Sequence, residues 1–147
     1  MDTEMISIPK IEDYRGHIAV IEKETVPFEI KCVYYLFDVP SSSSRGGHAH
    51  KSLQQLLIPL SGSFDVVLKD GTETQIVTLN KPDRGLLIKS MVWRELENFS
   101  SGAVCLVIAS EVFDEDDYIR DFDDFISFVS ADSGKSSGES HASGNMI

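Results

Sequence analysis

Residues 64–79 read FDVVLKDGTETQIVTL and contain two apolar, β-branched runs separated by Asp70-Gly71. Valine, isoleucine, phenylalanine and threonine are enriched in strands. An Asp-Gly pair tolerates the positive φ angles of a tight turn. The stretch therefore predicts a β-hairpin with a two-residue turn.

Most of the remaining chain repeats this pattern of short apolar runs bounded by turn signals. Arg15-Gly16, Ser61-Gly62 and Ser101-Gly102 all punctuate it. Many short strands at such spacing indicate an all-β sandwich or barrel. The predicted strands cover residues 6–9, 17–22, 30–39, 53–60, 63–69, 74–79, 86–89 and 103–109.

One helix is expected near the end of the chain. Asp114 or Asp116 is positioned to cap it, and apolar residues recur at helical spacing from Tyr118 through Phe128. The 147 residues suit one domain, which we place at 1–129. Residues 130–147 are rich in serine and glycine, so we expect a flexible tail there.

The composition limits the classes of partner. The net charge is −11, which opposes binding to a phosphate backbone but leaves room for one anionic ligand beside local arginines. No apolar run approaches the roughly 20 residues that span a bilayer. Cys32 and Cys105 lie in apolar runs without metal-ligand spacing. With no secretory signal pattern at the start, we expect a cytoplasmic protein that binds neither nucleic acid nor membrane.

The motif RGGHAHK, residues 45–51, holds two histidines two positions apart. In an extended segment His48 and His50 project from the same face. Such a pair is consistent with a metal site, with a site of proton transfer, or with two surface histidines.

A metal site needs more ligands than this pair. Metal-binding barrels of the cupin type follow the two histidines with a glutamate and a glycine, and supply another histidine later. Here Gln55 stands at the glutamate position, Gly62 keeps the glycine, and Arg94 stands at the histidine position. Neither Gln55 nor Arg94 is a good metal ligand, so the sequence favours a site without metal.

The chain resembles the sugar 3,4-ketoisomerases of the cupin superfamily, which act on dTDP-4-oxo-6-deoxyglucose. The resemblance extends from about residue 8 to residue 128. It is carried by Gln55, Trp93 and the stretches RGHIAVIE (15–22), PFEIK (27–31), VYY (33–35), RGGHAHK, GSFDVVLKDG (62–71) and DEDDYIRDFDDF (114–125).

This resemblance implies a cupin-type β-barrel (jelly roll) with a short C-terminal helix. It implies an isomerase of deoxysugar biosynthesis that needs no metal or other cofactor and acts on a dTDP-linked 4-oxo-6-deoxyhexose. It also implies a homodimer in which N-terminal strands exchange between subunits. The chain departs from the family at Cys32, where members often carry arginine, and at Arg94, where many carry histidine.

Moving a ketone from C4 to C3 requires a base for the C3 proton, an enediol, and protons returned to C4 and the oxygens. Histidine suits these transfers because its ordinary pKa is near neutrality. The residues leave the order of the two histidines open. Leaning on the family, we assign His50 as the base at carbon and His48 as the oxygen-proton relay or enediolate donor.

Three arginines are candidates for binding substrate. We expect Arg45 at the diphosphate or a sugar oxygen, with a surface ion pair as the alternative. Arg120 is a candidate for phosphate or an interface, or for an ion pair with Asp121 or Asp124. The change at Arg94 is expected to alter substrate contacts or stereochemistry.

Three further side chains are candidates for the pocket. Tyr35 is expected to present its hydroxyl to the sugar, Gln55 to bind substrate or orient a histidine, and Trp93 to wall the pocket or stack on a ring. The alternatives are core packing for Tyr35 and Trp93, and a simple polar barrel residue for Gln55.

The preferred function is a nucleotide-sugar 3,4-ketoisomerase. A dTDP-sugar 3,5-epimerase also needs a histidine base in a metal-free cupin and remains an alternative. The other alternative is a cupin module that binds a nucleotide sugar without turning it over.

Overall fold

A computed structural model describes residues 1–131, which form twelve strands, one short 3-10 helix and one α-helix. The strands are β1 (Thr3–Ser7), β2 (Lys10–Asp13), β3 (Gly16–Ala19), β4 (Cys32–Leu36), β5 (Arg45–His50), β6 (Gln55–Ser61), β7 (Phe64–Lys69), β8 (Thr74–Leu79), β9 (Arg84–Ile88), β10 (Trp93–Glu97), β11 (Val104–Ala109) and β12 (Tyr118–Ile119). The 3-10 helix is Glu115–Asp117, and α1 is Phe122–Ser130.

The strands build two five-stranded antiparallel sheets. The first sheet has the order β1-β9-β6-β11-β4, and the second has the order β12-β5-β10-β7-β8. Strands β2 and β3 pair with each other as a separate hairpin. The predicted class, all-β with a short C-terminal helix, is confirmed.

The main core lies between the two sheets, where alternate residues of each strand point inward. The first sheet contributes Leu57 and Val107, and the second contributes Phe64, Leu68 and Leu96. Part of the outer face of each sheet is also covered. A cluster that includes Ile8, Val26 and Leu56 lies outside the first sheet, and one made of Ala49, Trp93, Ile119 and Phe125 lies between the second sheet and α1.

The hairpin in residues 64–79 forms, but its loop is longer than predicted. Strands β7 and β8 end at the pair Lys69 and Thr74, which leaves four residues in the loop instead of two. The Asp70 carboxylate accepts hydrogen bonds from the backbone N–H groups of Thr72 and Glu73, both at 2.9 Å. These bonds stabilise the wider turn.

The predicted helix, capped at Asp114 or Asp116 and continuing from Tyr118 through Phe128, is wrong in its first half. Tyr118 and Ile119 instead form β12, an antiparallel partner of β5. The helix begins at Phe122, because the Asp121 side chain caps the N–H groups of Asp123 and Asp124. The early part of the acidic stretch is thereby held beside β5.

The sequence pattern also missed β2, β5, β10 and β12. Charged or polar residues interrupt the apolar pattern of β2, β5 and β10, and β12 has only two residues. The predicted tail at 130–147 lies outside the described residues except for 130 and 131, and α1 extends to Ser130. Within residues 1–131 no helix is long and apolar enough to cross a membrane.

Candidate active site

A bulge in β5 sets the direction of the RGGHAHK side chains. His48 pairs with Arg94 on β10, whereas Arg45 pairs with Leu96, so that Gly47 is an extra residue in β5. Gly47 has a φ of 65°, a conformation that suits glycine. Because Arg94 and Leu96 both point between the sheets, the bulge places Arg45 on the same face as His48, three residues later.

His48 and His50 are fully buried and lie edge to face, with ring centroids 4.8 Å apart. Tyr118, the cross-strand partner of His50, packs against both histidines, at 4.9 Å from His48 and 4.4 Å from His50. The same-face prediction for the histidines is confirmed. The surface interpretation of the pair is excluded by their burial.

His50 also contacts a carboxylate. Its Nδ1 lies 3.0 Å from Oδ2 of Asp117. Burial lowers the pKa of His50 to about 4; the hydrogen bond to Asp117 acts against this, and the charge of Arg94 adds to it. His50 is therefore neutral at pH 7. Its Nε2 is buried and has no hydrogen-bond partner among the described residues.

A hydrogen-bonded chain crosses from the second sheet to the first. The Arg94 guanidinium donates to Oε1 of Gln55, and Nε2 of Gln55 donates to the Tyr34 hydroxyl at 3.0 Å. Arg94 also donates to the Val92 carbonyl at 2.9 Å. Burial raises the pKa of Tyr34 well above its usual range, so its hydroxyl stays protonated.

Arg94 is a buried cation without an ionic partner in residues 1–131. Only 1% of the residue is exposed, and its Nε has no hydrogen-bond partner among those residues. Burial lowers the pKa of Arg94 to about 10, which leaves it charged at neutral pH. A buried charge of this kind is costly unless an anion or another partner compensates it.

The other two candidate arginines lie nearer the solvent. Arg45 is exposed at the start of β5 and makes no ion pair within residues 1–131. Arg120 donates to both carboxylate oxygens of Glu115, at 2.7 and 2.9 Å, and its guanidinium lies 4.1 Å from the centre of the Tyr118 ring. The ion pair of Arg120 is thus with Glu115, and not with Asp121 or Asp124.

Two predicted site residues lie apart from the histidines. Tyr35 is 61% exposed on the outer face of β4, with its ring 5.9 Å from that of Phe37. Trp93 points to the opposite face of β10 from Arg94 and packs on Phe122 and Phe125 of α1. Of the sequence-based candidates, the structure brings together His48, His50, Gln55 and Arg94.

Sequence reasoning missed Tyr34, Asp117 and Tyr118. Strand alternation could have identified Tyr34, because Tyr34 and Leu36 face inward while Val33 and Tyr35 face out. Asp117 and Tyr118 fall in the stretch whose apolar spacing predicts a helix, and only the pairing of β12 with β5 places them at the histidines.

Gln55 and Arg94, the two positions that depart from the metal-binding motif, form a hydrogen bond with each other in the structure. Within residues 1–131 no three side chains of His, Cys, Asp or Glu form a group that could hold a metal ion. That the site works without a metal stays a prediction. The residues present supply a neutral imidazole, a second imidazole, two phenols and a fixed positive charge, a set suited to proton transfer with stabilisation of an oxyanion.

The chain is similar to proteins of known activity. A family model described as "FdtA: WxcM-like, C-terminal" matches residues 1–130. The TDP-4-oxo-6-deoxy-alpha-D-glucose-3,4-oxoisomerase of Aneurinibacillus thermoaerophilus is 45% identical over 130 residues, which cover 88% of this chain and 94% of that protein.

Solved structures show the same fold. The sugar 3,4-ketoisomerase QdtA of Thermoanaerobacterium thermosaccharolyticum, crystallised with TDP, is 43% identical with a TM-score of 0.87, covering 89% of this chain and 96% of that one. The TDP-quinovose 3,4-ketoisomerase WlaRB of Campylobacter jejuni is 46% identical with a TM-score of 0.82, covering 86% and 98%.

Proposed function

The chain belongs to the family described as FdtA: WxcM-like, C-terminal, and on that premise we propose how it acts as an isomerase of nucleotide sugars. It is a sugar 3,4-ketoisomerase. Its substrate is a dTDP-linked 4-oxo-6-deoxyhexose, and its product is the corresponding 3-oxo-6-deoxyhexose. The reaction moves the ketone from C4 to C3 with no net oxidation or reduction.

One observation carries the chemical assignment. Two buried histidines, His48 and His50, lie edge to face in the same interior as the buried cation Arg94. A ketone shift needs a base for carbon, a route for the oxygen proton and stabilisation of a negative oxygen. This cluster supplies all three without any other group.

In the first half of the reaction, we assign proton removal from C3 to His50. Its ring is neutral at pH 7, and the buried Nε2 is available to accept a proton. The C3–H electron pair then forms the C3–C4 double bond, and the former carbonyl oxygen at C4 becomes negative. Arg94 is the group that stabilises this enediolate, since a fixed charge in a dry site acts strongly.

In the second half, the hydroxyl proton moves from O3 to O4 and a proton returns to C4. His48 lies beside His50 and is assigned the transfer between the oxygens. The C3–H and O3–H bonds have then been exchanged for C4–H and O4–H bonds. Tyr34 and Gln55 hold Arg94 in place through the hydrogen-bonded chain that ends on the Tyr34 hydroxyl.

The remaining substrate contacts follow from placement and charge. Arg45 is the exposed cation on the same face of β5 as the histidines, and we assign it to the diphosphate. Arg120 is already paired with Glu115, so its contribution is to pack on the Tyr118 ring; a phosphate contact would need it to exchange partners.

The assignment is tested by incubating the protein with dTDP-4-oxo-6-deoxyglucose in D₂O and following the sugar by NMR. A 3-oxo product with deuterium at C4 is expected. Deuterium at C5 would indicate a 3,5-epimerase instead, and tight dTDP binding without exchange would indicate a binding module. His50→Asn should lower turnover by about 10²–10⁴-fold with dTDP binding retained. A metal analysis that found one bound transition metal per chain would contradict the metal-free site.

We also propose that the protein is a homodimer. Strand β4 is an edge of the first sheet, and its outward residues Val33 and Tyr35 are 55% and 61% exposed. The β2–β3 hairpin presents Ile11 and Ile18, at 59% and 60% exposed, and pairs with neither large sheet. Exposed apolar residues on a sheet edge favour pairing with another chain, here through exchanged N-terminal strands.

A cytoplasmic location is part of the same proposal. It is supported by the free thiols of Cys32 and Cys105, which suit a reducing compartment.

A further inference from the structure

Asp117 is the acceptor for three donors at the end of β5. Its carboxylate lies 3.0 Å from His50 Nδ1, and it accepts the backbone N–H of Ser52 at 2.8 Å and of Leu53 at 3.2 Å. The histidine and the chain that follows it are therefore attached to one side chain.

The backbone brings Asp117 to this place. The Asp117 carbonyl accepts the N–H of Lys51 at 2.9 Å, and the next residue, Tyr118, pairs with His50 across the strands. On the other side, Asp114 caps the short helix by accepting the N–H of Asp116 at 3.0 Å. The position of the carboxylate is thus determined by backbone contacts on both sides.

The protonation state of Asp117 follows from these contacts. Burial acts to raise the pKa of this carboxyl, but the hydrogen bonds from His50 and the Ser52 N–H lower it by more, so the net shift is downward. Asp117 is ionised at neutral pH, and an ionised carboxylate only accepts hydrogen bonds. The proton of the hydrogen bond therefore belongs to Nδ1 of His50.

We propose that Asp117 is a positioning residue for the isomerisation, which holds neutral His50 in the Nδ1–H tautomer so that Nε2 is the atom that exchanges protons with the sugar. This inference rests on the proposed function. When Nε2 takes the C3 proton, the ring becomes an imidazolium whose Nδ1–H remains bound to the carboxylate. When Nε2 returns a proton to C4, the ring is again neutral and Asp117 has stayed ionised throughout.

The surroundings of His50 keep the ring from adopting another orientation. The rings of His48 and Tyr118 pack against it, and the His50 carbonyl accepts the N–H of Met91 at 2.7 Å. The charged groups that act on His50 are Asp117, Arg94 and Arg120, and only Asp117 is negative. Of the two ring nitrogens, Nδ1 lies at hydrogen-bond distance from Asp117 and Nε2 has no hydrogen-bond partner within residues 1–131, so the tautomer depends on Asp117.

The test is ¹⁵N NMR of the full chain labelled at histidine, without substrate, at pH 7. His50, assigned by its loss in His50→Asn, should show a protonated Nδ1 and an unprotonated Nε2. In Asp117→Asn the new amide can donate to Nδ1, which should move the proton to Nε2. Turnover should then fall by about 10²–10⁴-fold with KM nearly unchanged. Asp117→Glu keeps a carboxylate and should restore the Nδ1–H tautomer and part of kcat.

Asp116→Asn is the matched control, since Asp116 is exposed in the same short helix and should leave both tautomer and kcat unchanged. A wild-type spectrum with the proton on Nε2 would overturn the proposal, and it can be recorded even if Asp117→Asn fails to fold. Normal kcat in folded Asp117→Asn would overturn it as well. Wild-type protein without isomerase activity would instead contradict the proposed function, which the NMR measurement does not depend on.

Discussion

Arg94 of β10 donates a hydrogen bond to Gln55 of β6, and this contact joins the two sheets across the interior of the protein. Both residues are 1% exposed. A contact between two leucines would stabilise this position without the cost of burying a charge. The placement of the guanidinium is therefore better explained by the negative oxygen of the reaction than by folding.

This explanation predicts that Arg94→Met separates activity from stability. Turnover should fall by about 10²–10³-fold because the enediolate loses its positive partner. The free energy of unfolding should stay within about 2 kcal/mol of wild type, since replacing a buried charge by an apolar chain is often neutral. Urea denaturation and steady-state kinetics measure the two effects. Arg84→Met, at an exposed position, is the control, and a variant with full turnover but lost stability would show that Arg94 is structural.

The two neighbouring tyrosines of β4 should differ in their effect on catalysis. Tyr34→Phe removes the hydroxyl that accepts from Gln55, which loosens the support of Arg94, and turnover should fall by about 10-fold. Tyr35→Phe changes an exposed hydroxyl and should leave kcat unchanged. Steady-state kinetics of both variants measure kcat. A lowered kcat in Tyr35→Phe with a normal kcat in Tyr34→Phe would place Tyr35 in the site instead of Tyr34.

The buried His50 should make stability depend on pH. Its pKa is about 4 in the folded protein and about 6.5 when unfolded, so the unfolded state binds more protons between these values. Stability contributed by neutral His50 is complete above pH 6.5 and declines as the pH falls toward 4, by about 3 kcal/mol in all. Urea denaturation at pH 7 and pH 5 measures the free energy of unfolding of wild type and of His50→Asn. This free energy should fall less between the two pH values in the variant, and an equal fall would contradict the lowered pKa of His50.

The exposed edge of β4 should determine the assembly state. Replacing Val33 and Tyr35 together by glutamate puts charges on the outward face and should convert a dimer to a monomer. Light scattering coupled to size-exclusion chromatography measures the mass. Glutamate at Ile76, which is 62% exposed on β8, is the control. A wild-type monomer at micromolar concentration would rule out the proposed dimer.

Gly62, in the turn between β6 and β7, should tolerate substitution less well than Gly102, in the loop between β10 and β11. It has a φ of 70°, and an added Cβ would lie 2.8 Å from the Cα of Ala103. Gly62→Ala should therefore cost about 2–4 kcal/mol of unfolding free energy, from backbone strain plus overpacking. Gly102 has a φ of 77° but open space around it, so Gly102→Ala should cost only about 1 kcal/mol. Thermal denaturation of the two variants measures the loss of stability. An equal loss would mean that Ala103 moves away from the added Cβ of residue 62 at little cost.

Local sequence patterns were sufficient for the class of fold and for one face of the site. The apolar, β-branched runs on either side of Asp70-Gly71 predicted β7 and β8, and the spacing of His48 and His50 placed both side chains on one face. These properties depend on residues close in the chain, whose geometry the two-residue repeat of a strand determines. The resemblance to sugar 3,4-ketoisomerases rested on the same local motifs.

The tertiary structure alone decided which side chains meet the histidines. Asp117 is 67 positions from His50, and Gln55 is 39 positions from Arg94, so neither contact follows from local spacing. The acidic stretch that includes Asp117 has the apolar spacing of a helix. Tyr118 nevertheless pairs with His50 as part of strand β12, because that side of β5 is free to hydrogen-bond with another strand. Contacts of this kind depend on how distant strands pack, and packing in turn depends on the whole set of side chains between the two sheets.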